Sequence, residues 1–109
     1  MKGIAKIAAG VCGFTTEVNA ESPDDLMVTL SITTECQKIA GMAEALAGKV
    51  IDGYDEIAAG FDGVVMTAAR QSLSGCCAGC AVPFGIFKAV QVAARVALPR
   101  DISISISEG

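Results

Sequence analysis

The sequence predicts an α+β domain: a mainly antiparallel sheet of about four strands, three N-terminal and one C-terminal, with about three helices packed on one face. Three observations carry this expectation. Period-two alternation of apolar and polar residues is confined to the first 34 residues and to residues 102–107. Helical periodicity fills the stretch between them. The order strands, helices, strand also departs from the regular alternation that builds parallel α/β sheets.

Ile4–Cys12 is the weakest strand pattern. It joins near Gly13 to Phe14–Ala20, where Phe14, Thr16, Val18 and Ala20 fall on one face against Thr15, Glu17 and Asn19. Ser22-Pro23-Asp24-Asp25 supplies turn residues. The third strand, Leu26–Thr33, sets Leu26, Val28, Leu30 and Ile32 opposite Met27, Thr29, Ser31 and Thr33. After Thr34 a helix is expected on the stripe Ile39, Met42 or Ala43, Leu46 and Val50, with Lys38, Glu44 and Lys49 largely off it. A second helix is expected between Asp55 and Ser74 through Ile57, Phe61, Val64, Val65, Ala68 and Leu73, its beginning disturbed by Gly60 and Gly63. The third, about Pro83 to Leu98, has polar residues only at Lys88, Gln91 and Arg95 and so reads as the most buried helix. Pro99 stops it. Ile102–Ser107, alternating isoleucine and serine, is expected to return to the sheet.

With 109 residues the chain is one domain, 1–109, long enough to bury about two-thirds of the surface its unfolded form exposes without a metal or disulfide to hold it. It is 52% hydrophobic and only 18% charged, with a mean hydropathy of +0.55, so apolar surface is expected to face a second subunit in a homodimer or higher homo-oligomer. A net charge of −4 without a run of Lys or Arg argues against nucleic acid, whose phosphates require clustered cations. Met1–Phe14 is broken by Lys6 and makes a poor secretory leader. No later stretch is expected to reach the ~20 uncharged apolar residues of a membrane span. The chain therefore reads as cytoplasmic, where cysteine clusters bind metal or do redox work more often than they form bridges.

The chemistry is concentrated in cysteine. There are five cysteines and no histidine, and three of the five fall in Ser74-Gly75-Cys76-Cys77-Ala78-Gly79-Cys80. The CxxC spacing of Cys77 and Cys80 lets two thiolates turn toward one ion or each other, ahead of a helix whose N-terminal end favours negative charge. Cys12 and Cys36 stand at strand exits. If these places meet at one edge of the sheet, Cys12, Cys36, Cys77 and Cys80 would surround a space suited to zinc or an iron–sulfur cluster, leaving Cys76 spare. Taken singly, Cys12 and Cys36 read as small core residues. No histidine is available for a Cys–His nucleophile, no Ser/Asp/Glu set forms a triad, and Gly75–Gly79 lacks the ending of a phosphate loop. Two other readings stand beside the metal site. One is a metal-free structural or interaction module forming an obligate homo-oligomer, and the other is a thiol–disulfide redox protein, although the strand–helix–strand context of thioredoxin-like motifs is missing.

Two resemblances follow from these residues. Ala9-Gly10-Val11-Cys12-Gly13-Phe14, Glu35-Cys36, Cys80-Ala81-Val82-Pro83, Lys88-Ala89 and Ala97-Leu98-Pro99 together resemble a family of small uncharacterised proteins of anaerobic bacteria and archaea. That resemblance implies cysteines shared at positions 12, 36 and 80. Leu73–Cys80, with Lys88 beyond, is similar to the cysteine motif of NifU-like iron–sulfur scaffold domains. It implies a cluster held by a CxxC from each subunit, although the segment before Gly75 is helical here and Ala81-Val82-Pro83 follows Cys80.

Overall fold

The computed structural model describes residues 1–109. Strands β1 (Lys2–Ala8), β2 (Thr15–Glu21) and β3 (Met27–Thr34) form an antiparallel meander, and a short β4 (Ile51–Asp52) pairs with the start of β3, giving the order β1-β2-β3-β4. Helices α1 (Gln37–Leu46), α2 (Gly53–Ala59), α3 (Val64–Ser72) and α4 (Val82–Ala93) complete the α+β fold. Period-two alternation sorts the faces of the sheet. Thr16, Val18, Ala20 and Val28 are buried under the helices, while Thr15, Glu17, Asn19, Thr29, Ser31 and Thr33 face water. On the open face Lys2 and Lys6 of β1 pair with Glu21 and Glu17 directly across on β2, at 3.2 and 3.8 Å. Such exposed pairs contribute less than about 1 kcal/mol each and chiefly keep that face polar.

Helix α4 buries Val82, Ile86, Ala89, Val90 and Ala93 and lies directly on β1. A Cβ at Gly3 would overlap the carbonyl oxygen of Ala89, and one at Gly85 would overlap the side chain of Ile7. These contacts also fix direction. Gly85, early in α4, meets Ile7, late in β1, whereas Ala89 and Ala93 meet Gly3 at the start of β1. The helix therefore runs antiparallel to β1, with its N-terminus over the end of the sheet where β1 turns into β2.

The helix expected from Asp55 to Ser74 is two helices. Asp52 caps α2 by accepting from the N–H groups of Tyr54 and Asp55 at 2.9 and 3.0 Å. Gly60, at φ 57°, ends α2 in a left-handed conformation. The carboxylate of Glu56, itself only 3% exposed, then starts α3 by accepting from Val64 and Val65 N–H at 3.1 and 2.8 Å. A Cβ at Gly63 would overlap that carboxylate. Because the helix axis breaks here, Ile57 and Phe61 of the expected stripe are exposed, while its later members Val65, Ala68 and Leu73 are buried as expected.

Other boundaries also differ from expectation. Helix α1 ends at Leu46, before Gly48 at φ 75°, so Val50 leaves its stripe and is exposed. Helix α4 ends at Ala93 rather than Leu98. Arg95 takes φ 62°, and Arg95 and Val96 N–H bond back to Val92 and Gln91 carbonyls, a Schellman closure. The Arg95 guanidinium lies 3.6 Å from Asp25, which is also left-handed at φ 60°. The expected C-terminal strand is not formed: Ile102–Ser107 pairs with nothing and is exposed, and the fourth strand is Ile51–Asp52. Alternation reports a segment with one apolar side and is silent on its partner. Contrary to the sequence expectation, Gly75–Ala93 is long and apolar enough, by length and composition, to cross a membrane; its α4 portion supplies core side chains in this fold.

Two glycine substitutions test the packing. Gly3→Ala should destabilise the protein by about 1–3 kcal/mol, because the added methyl must displace helix backbone. Gly41→Ala, in the exposed middle of α1 with no atom near its Cβ position, should stabilise by about 0.5–1 kcal/mol. Urea midpoints should move in opposite directions.

Candidate metal centre

Topology collects the cysteines at one end of the sheet. Cys12 sits on the β1–β2 hairpin, in a turn closed by Gly13 N–H to the Gly10 carbonyl at 2.9 Å and framed by positive φ at both glycines. It is exposed. Cys36 follows β3, whose last residue, Thr34, pairs with Thr16 at the same end. The hydroxyls of Thr16, which is buried, and of half-buried Thr34 bond at 2.9 Å, and the Thr34 hydroxyl accepts from the Cys36 N–H at 3.2 Å. Cys36 is thus held as the N-cap residue of α1, half-buried against the core. Cys77 and Cys80 come to this end because α4, which they precede, starts over it.

Residues Gly75–Gly79 form a 3-10 helix entered through Gly75 at φ 62°. Cys77 N–H bonds to the Ser74 carbonyl at 3.2 Å and Cys80 N–H to the Cys77 carbonyl at 3.1 Å. Cys80 closes this turn as its C-cap residue, and in ideal 3-10 geometry, with a rise of about 2 Å per residue, residues i and i+3 such as Cys77 and Cys80 eclipse at a Cα separation of about 6 Å. That separation suits both a shared ion and a disulfide. Both cysteines are half-buried against the core, whereas Cys76 is exposed. Beyond them Phe84 stands edge-on to Phe61, with ring centroids 6.5 Å apart and planes at 87°, tying the start of α4 to the turn before α3.

The N-termini of α1 and α4 both open at this end, and neither has an acidic residue in its first turn. Their unpaired N–H groups favour negative charge. All five cysteines are free thiols. No three Cys, Asp or Glu side chains stand grouped around one ion position, so the four expected ligands share an end of the fold without forming a closed cage in one chain. Of the carboxylates, Asp52 and Glu56 are engaged as helix caps. Nothing in the sequence distinguishes Glu56, which is buried to cap a helix that starts eight positions later.

These exposures set an order of thiol reactivity. In reduced, metal-free protein a chromogenic disulfide reagent should modify Cys12 and Cys76 quickly and Cys36, Cys77 and Cys80 slowly. Peptide mapping after brief labelling would contradict this order if Cys77 and Cys80 carried label as fully as Cys76.

No curated protein and no solved structure matches the chain. A family model does match, over residues 4–106, which includes every cysteine and nearly the whole fold. The chain accordingly belongs to the Family of unknown function (DUF6951).

Proposed function

We propose that the protein binds a soft metal centre, zinc or an iron–sulfur cluster, through Cys77 and Cys80, with Cys36 and Cys12 as further ligands. The observation that carries this reading is the 3-10 turn. It gives Cys77 and Cys80 one half-buried side while leaving Cys76 in water. The charge preference of two helix N-termini and the presence of Cys36 at the same end support it further. The likeness of Leu73–Cys80 to the NifU-like motif favours a cluster within that class. Closing a four-sulfur site requires the Cys12 hairpin and the start of α1 to move inward, or a second subunit to supply thiolates. We place the protein in the cytoplasm, where these thiols stay reduced.

Protein purified without oxygen tests the proposal. Zinc or iron should copurify at substantial occupancy, with visible absorption if the centre is an iron–sulfur cluster. Metal should fall to background in Cys77→Ser and Cys80→Ser and persist in Cys76→Ser. Metal-free wild-type protein contradicts the reading, and a Cys77–Cys80 disulfide in that metal-free protein would favour thiol–disulfide chemistry instead.

A further inference from the structure

We infer that residues 102–107 form a strand between molecules, adding to the free edge of β3 in a second copy of this chain. The observations are independent of the metal proposal. The segment alternates Ile102, Ile104 and Ile106 with Ser103, Ser105 and Ser107, yet its isoleucines are 56%, 69% and 92% exposed. The family match nonetheless extends through Ile106. A stretch with this alternation is amphipathic only when extended, and once its apolar side is buried its backbone N–H and C=O groups require a partner strand.

The sheet offers two edges of opposite character. Edge strand β1 carries Lys2 and Lys6, and lysine on an edge opposes the addition of another strand. On the other side β4 covers only Met27 and Val28, leaving Thr29–Thr34 without a strand neighbour on that edge. This stretch, Thr-Leu-Ser-Ile-Thr-Thr, has no charge and no proline, and it matches the six residues of Ile102–Ser107 in length.

The faces match as well. Leu30 and Ile32 turn toward the helices but remain half-exposed, whereas Val18 and Ala20 on the inner strand are fully buried. A strand laid beside β3 with its isoleucines on the Leu30 and Ile32 side would continue that apolar row. Its serines would then continue the hydroxyl row of Thr29, Ser31 and Thr33. The other choice of register would put three isoleucines into water, so the pattern selects one face. The donor we infer is a second copy, because the tail and the edge are both unpaired within one chain and match each other in length, alternation and lack of charge. Reciprocal exchange closes a two-fold dimer.

Light scattering on the full chain, combined with hydrogen exchange at the tail amides, tests this inference. Wild-type protein should have twice the 11.0 kDa chain mass, with Ser103–Ser107 amides protected. Ile104→Lys in the tail and Ser31→Lys on the exposed side of the edge should each halve the mass and release the tail amides. Both positions face water in the single chain, so neither substitution disturbs the core. A monomeric wild type overturns the inference, whether its tail amides are free or are protected by docking on their own chain. A dimer that survives both substitutions overturns it too.

Discussion

The contact between α4 and β1 is the constraint from which the rest of the arrangement follows. Gly3 lies directly against the backbone of Ala89 and Ala93, and Gly85 receives the side chain of Ile7, so helix and strand leave no room for an added methyl at either point. Interiors pack at near-crystalline density, and an approach this close tolerates neither an added methyl nor a shift in register. It therefore fixes where α4 begins. At its other end, Ala94 meets Gly53 so closely that a Cβ on that glycine would overlap it, which brings the start of α2 against the same helix.

The cysteine end is a consequence of that seating. The turn bearing Cys77 and Cys80 leads directly into α4, and the antiparallel run of α4 over β1 carries it to the end of the sheet that also bears Cys12 and Cys36. Half-burial and the three-residue spacing across the 3-10 turn then set Cys77 and Cys80 apart from Cys76. The same sheet that gathers the cysteines leaves the rear edge of β3 bare. Site and edge are separate products of one layer architecture, and each can fail without the other.

Much of the fold was legible in the sequence, and the exceptions have physical causes. Thr15–Ala20 and Met27–Thr33 alternate because one face is buried and the other wet, although Phe14, expected on the buried face, is exposed ahead of β2; Ile39, Met42 and Leu46 recur at helical spacing for the same reason. Ile51–Asp52 has only two residues, too few for any period, whereas the unpaired tail alternates strongly and so carries the stronger strand signal. The split between α2 and α3 was signalled by Gly60 and Gly63 but depends on Glu56 reaching Val64 and Val65, a tertiary contact that spacing does not encode. For the site, the CxxC and the strand-exit positions of Cys12 and Cys36 could be read directly. The end of the sheet that bears Cys77 and Cys80 could not, because it depends on the direction in which α4 crosses β1.

The seating of α4 on β1 is tested most directly by a double-mutant cycle on Gly85→Ala and Ile7→Ala, read by urea unfolding. The methyl added at Gly85 would overlap Ile7, so trimming Ile7 should relieve it. The cost of Gly85→Ala should then be smaller in the Ile7→Ala background by more than about 0.5 kcal/mol, the size expected of residues in direct contact. Costs that simply add would mean that α4 does not rest on β1 at this point, and the cysteine turn would lose the support that holds it at its end of the sheet.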